Sequence, residues 1–123
     1  MILQKIYAQR AQDVEVAKKT PGTTPEDIAQ LLSVHLAPPL IPFVGRLKKN
    51  PSDATSGMSL MAEIKRASPS KGNISLTTPV AEQALTYALA GASVISVLTE
   101  PHWFKGSLHD MLMVRQSLSG IPD

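Results

Sequence analysis

Glu63-Ile64-Lys65-Arg66-Ala67-Ser68-Pro69-Ser70-Lys71-Gly72 is the stretch on which the fold turns. Just before and into it, Leu60, Ala62 and Ile64 alternate with Met61, Glu63 and Lys65. A period of two is the mark of a strand, with one apolar face and one face bearing a carboxylate beside an ammonium. Pro69 and Gly72 then end the strand and force a turn. Parallel α/β folds keep their chemistry on charged residues at the C-terminal ends of strands, beside short loops.

Working outward toward the C-terminus, Thr78-Pro79 opens a helix expected to run to Ala90, and Gly91 stands where a left-handed C-cap belongs. Ser93-Val94-Ile95-Ser96-Val97-Leu98 reads as a second strand, rich in β-branched residues. A loop from Thr99 to Gly106 holds His102, Trp103 and Phe104, and a last helix is expected over Ser107–Leu118, with Leu108, Met111, Leu112 and Leu118 apolar. Strand, helix, strand, helix with short links is a βαβ pattern, which implies parallel strands joined by a right-handed crossover.

Toward the N-terminus the grammar is helical. Leu3, Ile6, Tyr7, Val14 and Ala17 make an apolar stripe from about Ile2 to Lys19, ended by Thr20-Pro21-Gly22. Thr24 is placed to cap a second helix, with Pro25 at its first position and Glu26 and Asp27 in its first turn. A short third helix follows Pro42. The polar run Lys48–Asp53 is the expected boundary, dividing a helical extension over residues 1–52 from two βα units over residues 53–123.

The totals bound the function. The chain has 123 residues, 43% hydrophobic and 18% charged, which describes a globular domain or part of one. Twelve basic against ten acidic residues leave a net charge of only +2, with no dense basic tract, so nucleic acid is not an expected partner. Cysteine is absent, excluding disulfides, thiolate zinc sites and a cysteine nucleophile within these residues. No apolar run approaches the roughly 18 residues of a membrane span, and a cytoplasmic location without membrane partners is the expectation. Two parallel strands leave Leu60, Ile64, Ile95 and Val97 short of cover, so the chain is expected to be the front of a longer protein.

The residues also resemble a known family. Ala62-Glu63-Ile64-Lys65-Arg66-Ala67-Ser68-Pro69-Ser70-Lys71-Gly72, then Gly91 through Glu100, then Trp103-Phe104-Lys105-Gly106-Ser107-Leu108 resemble indole-3-glycerol phosphate synthase. The resemblance implies a (β/α)8 TIM barrel preceded by extra helices, of which this chain would carry the first two βα units. It implies ring closure of 1-(2-carboxyphenylamino)-1-deoxyribulose 5-phosphate, with loss of carbon dioxide and water, and no metal or organic cofactor. It implies a catalytic pair, Lys65 contacting the substrate's anionic groups and supporting the acid step, and Glu63 orienting it. Ser68 and Pro69 would form a substrate wall, and Leu98 and Phe104 the apolar surface for the aromatic ring. A second lysine on strand three, a glutamate on strand four and most of the phosphate pocket would come from later segments, so these residues alone are expected to be inactive and poorly folded. In fungi the family is often fused to other tryptophan-pathway domains, which are therefore expected partners.

The residue types suit that chemistry without the resemblance. A lysine holds an anion and donates a proton, and a neighbouring carboxylate fixes its position. By spacing alone, however, a Glu and a Lys two apart are usually a solvated pair. Trp103, His35, His102 and His109 read as structural or surface residues, and Met58, Met61, Met111 and Met113 as filling. Two other readings stand beside the first: another phosphate-sugar barrel enzyme of the same pathway, and a helical interaction module built on residues 1–50.

Overall fold

The computed structural model describes residues 1–49 and 58–121. They form two compact units, Met1–Leu40 and Ile41–Asp123. The junction expected at 52/53 lies outside the described residues, and the third helix belongs to the second compact unit.

The first unit is two helices, α1 (Ile2–Lys18) and α2 (Pro25–Ser33). Their connection is stitched locally. Thr20 and Thr23 hydroxyls donate to the Val16 and Ala17 carbonyls, each at 2.7 Å, occupying acceptors that the end of α1 leaves open. Thr24 caps α2 by accepting the Asp27 N–H at 3.1 Å, and Asp27 reaches back to the Gly22 N–H at 2.6 Å. Thr24 thus caps α2, while Asp27 ties down the turn before it at Gly22, whose φ is +97°.

The second unit opens with α3 (Phe43–Lys48) and continues as β1 (Met61–Ile64), β2 (Ala67–Ser68), β3 (Gly72–Asn73), α4 (Val80–Leu89), β4 (Val94–Val97) and α5 (Leu108–Leu118). β1 and β4 pair in parallel, Met61 opposite Val94 through Ile64 opposite Val97. α4 supplies the crossover between them, as the βαβ pattern requires. Both strands are shorter than the sequence pattern suggests. The turn expected at Pro69 and Gly72 is present, with Gly72 at φ +64°, and the residues flanking it pair as a short antiparallel ladder, β2 against β3.

Ile64 (2% exposed), Val80, Ala84 and Val114 form the core, and Tyr87, Ile95, Val97, Met113 and Leu118 pack against it. α4 and α5 therefore cover the lower face of the strand pair well enough to bury Ile64, while Leu60 stays exposed. On α5 the inward edge is Met113, Val114 and Leu118. Leu108, Met111 and Leu112 are exposed. α4 ends in a Schellman motif: Gly91 at φ +109° donates to the Ala88 carbonyl and Ala92 to that of Tyr87. α3 is held by Arg46, whose Nε donates to the Ser93 carbonyl at 3.0 Å, and by the Ser59 hydroxyl on the Leu47 carbonyl.

Candidate functional site

Register decides which side chains can act together. In a parallel pair, opposed residues point to the same side. Ile64, Ile95 and Val97 point into the core, so Glu63 and Ser96 lie on the opposite face. Lys65 and Leu98 continue that face one step past the strand ends, where the Leu98 N–H donates to the Ile64 carbonyl at 3.1 Å. The face bears a carboxylate, an ammonium, a hydroxyl and an aliphatic side chain at the C-terminal end of two parallel strands.

Lys65 Nζ stands 3.5 Å from Glu63 Oε1, with the two side chains 36% and 48% exposed. So open a pair contributes at most about 1 kcal/mol to stability. A site for an anion needs that exposure, since a buried pair would be closed to a ligand.

The two loops leaving this edge are built differently. After β1, Ser68 is buried, and its hydroxyl accepts the Lys71 N–H at 3.1 Å, shaping the turn that presents exposed Pro69. After β4, the chain doubles back so tightly that Gly106 lies against Leu98. A Cβ on Gly106 would fall 1.8 Å from the Leu98 carbonyl oxygen, so only glycine fits. Phe104 sits half-buried within this loop. The structure thus brings Glu63 and Lys65 together on one face with Leu98 beside them. Ser68 and Pro69 are on the first adjoining loop and Phe104 is on the second.

Two residues of this region escaped sequence reading. Arg66 follows Lys65 and, by the same alternation, falls on the side of Ile64. A charge on a packed side demands a partner, and that was the available signal. It finds Asp110 on α5, and its Nη1 also donates to the Leu76 carbonyl at 3.0 Å. Glu100 is the other. Its carboxylate accepts the backbone N–H groups of His102, Trp103 and Phe104 at 2.6, 2.7 and 3.1 Å. Nothing in its spacing announces that.

A cleft of about 310 Å³ lies elsewhere. Ile95, Val97 and Val114 are among its lining residues, which places it on the apolar side of the strand pair, away from Glu63 and Lys65. Among the described residues no group of His, Cys, Asp and Glu is assembled to hold a metal ion, and no helix is long and apolar enough to cross a membrane.

Known proteins share this sequence closely. A family model described as indole-3-glycerol phosphate synthase matches residues 3–122. A multifunctional tryptophan biosynthesis protein of Phanerodontia chrysosporium is 62% identical over 121 residues, covering 98% of this chain and 15% of the relative. One from Phycomyces blakesleeanus is 57% identical over 122 residues, covering 99% of the chain and again 15% of the relative. An indole-3-glycerol phosphate synthase of Listeria monocytogenes is 42% identical over 120 residues, 98% of this chain and 41% of that protein. The chain therefore spans less than half the length of each of these relatives. With a family match running over nearly all its residues, the chain belongs to the indole-3-glycerol phosphate synthase family.

Proposed function

We propose that this chain forms the first two βα units, with the preceding helices, of a (β/α)8 barrel that makes indole-3-glycerol phosphate. The substrate is 1-(2-carboxyphenylamino)-1-deoxyribulose 5-phosphate, and the reaction closes the pyrrole ring with loss of carbon dioxide and water. The observation that carries this reading is the Glu63–Lys65 pair, half-exposed at 3.5 Å, on the face opposite the core.

Ring closure joins a carbon of the aromatic ring to the substrate's ketone carbon. The ketone oxygen must take a proton as that bond forms, and the Lys65 ammonium is the donor at hand. Glu63, 3.5 Å away, holds Nζ in place. The carboxyl group, borne on the ring carbon that formed the new bond, then leaves as carbon dioxide, its bonding electrons restoring the aromatic ring. The hydroxyl on the former ketone carbon departs as water with a proton from the adjacent methylene carbon, forming the double bond of the pyrrole. Leu98 and Phe104 supply the apolar wall against which the ring lies, and Ser68 and Pro69 the wall on the first loop. Segments beyond these residues complete the barrel, the phosphate site and the remaining acid–base groups. Fusion to other tryptophan-pathway domains accords with the multifunctional relatives, and a cytoplasmic location is part of the same proposal.

The test is Lys65→Met in the complete barrel protein, assayed for indole-3-glycerol phosphate. Turnover should fall by ~100-fold or more, the range of a lost general acid, with the unfolding midpoint unchanged. Undiminished product formation would refute the assignment.

A further inference from the structure

The loop that bears Phe104 is organised by one carboxylate. Glu100 Oε1 accepts the His102 N–H at 2.6 Å, and Oε2 accepts those of Trp103 and Phe104 at 2.7 and 3.1 Å. The Glu100 carbonyl accepts the Gly106 N–H at 3.0 Å. Successive N–H groups converging on one point form a concavity that ordinarily takes an anion. Here the anion is the chain's own side chain, so the concavity is filled and rigid. Bonds to an ionised acceptor are roughly twice as strong as neutral ones, and three share this carboxylate.

The far side of Phe104 is fixed as well. Lys105 has φ +57°, which turns the chain sharply, and Gly106 then closes against Leu98 with no room for a side chain. Leu98 and Phe104, the two ring-wall residues, are thus the base and the crest of a loop whose shape is set by Glu100.

From this the geometry points to Glu100 as the positioning residue that sets the Phe104 wall, and so the fit of the aromatic ring, without touching substrate itself. The inference rests on the proposed function, in which Phe104 faces the ring.

Its test combines hydrogen exchange with kinetics in the complete barrel protein. In the unaltered protein the amides of His102, Trp103 and Phe104 should exchange at least ~10-fold more slowly than in an unstructured chain. Glu100→Ala should remove that protection. Glu100→Gln is nearly isosteric but turns one acceptor oxygen into a donor, and it serves where the alanine variant does not fold. Either variant should lower kcat/KM by about tenfold, the equivalent of one lost hydrogen bond to a charged group. The loss should not add to that of Phe104→Ala: the double variant should be no worse than Phe104→Ala alone. Unprotected amides at 102–104 would overturn the inference, as would unchanged kcat/KM in the Glu100 variants or additive losses in the double variant. Lys65→Met tests the underlying reading separately. A dead Lys65→Met with fully active Glu100 variants sinks this inference alone, whereas an active Lys65→Met sinks the function.

Discussion

Arg66 and Asp110 form a two-pronged ion pair, Nε to Oδ2 and Nη2 to Oδ1, each at 3.1 Å, with side chains only 20% and 13% exposed. The contact joins the residue after the proposed acid, Lys65, to the first turn of α5, 44 positions later. Asp110 is itself seated by the Ser107 N-cap, whose hydroxyl accepts its N–H at 3.0 Å. The Arg66 carbonyl accepts the N–H groups of Ile74 and Ser75. One arginine therefore gathers the exit of β1, the end of its loop and the start of α5.

Removing one partner of so enclosed a pair strands the other charge. Asp110→Ala should cost about 3 kcal/mol of unfolding free energy, the low end for a buried pair because some exposure remains. Arg66→Lys should also destabilise, by about 1 kcal/mol or more, since an ammonium has no planar fork to match the carboxylate. Denaturant unfolding of the two variants checks both, and a silent Asp110→Ala would show that the fork contributes nothing.

Gly106→Ala should be harmful although it adds a single methyl. The added Cβ would meet backbone, the Leu98 carbonyl at 1.8 Å, which has no alternative rotamer to move into. A cost of about 1–3 kcal/mol is expected for overpacking of this kind. The change should also lower substrate affinity, because the displaced loop starts from Leu98 and carries Phe104. Unfolding curves and KM measured on the same variant distinguish the two effects.

Ile64→Ala should open a cavity beneath the strand pair. Ile64 is 2% exposed among Val80, Ala84 and Val114, and truncations at such positions cost about 2–5 kcal/mol. Ile64 faces away from Glu63 and Lys65, so kcat in the folded fraction should stay close to its original value. A thermal melt paired with turnover below the transition provides the check.

Asp27 couples the helical unit to pH. The Gly22 N–H, then the Thr24 hydroxyl, hold its carboxyl below the ordinary aspartate range. A lowered pKa in the folded state means that these hydrogen bonds to the Asp27 carboxylate add stability above the unfolded-state pKa, and that this is lost as pH falls through the folded value. The Asp27 carboxyl followed by NMR should titrate below a free aspartate, and Asp27→Asn should remove that share of the acid-limb dependence. An ordinary midpoint at Asp27 would contradict the capping geometry.

Local signals carried much of the architecture. Thr24, Pro25 and Asp27 mark the start of α2 by hydrogen-bond chemistry that operates within four residues, and Gly91 marks the end of α4 in the same way. Alternation at Leu60–Lys65 separates the Ile64 side from the Glu63 side before any partner strand is known. The α5 edge was less legible. Leu108, Met111 and Leu112 are as apolar as Met113 and Val114, and only docking on α4 chooses which of them are buried. The turn at Pro69–Gly72 was legible, but the pairing of β2 with β3 on either side of it was not, each strand being too short for a period to register.

Glu63 and Lys65 share a face because neighbours two apart along a strand must, whatever surrounds them; that much is written in the chain. Their meeting with Leu98, the seating of Arg66 on Asp110 and the gathering of the Phe104 loop by Glu100 and Gly106 belong to the folded molecule. Side-chain alternation and helix capping are set over a few bonds and can be read from neighbouring letters. Strand register and loop closure depend on which distant backbone groups come within about 3 Å of one another, and packing alone settles that.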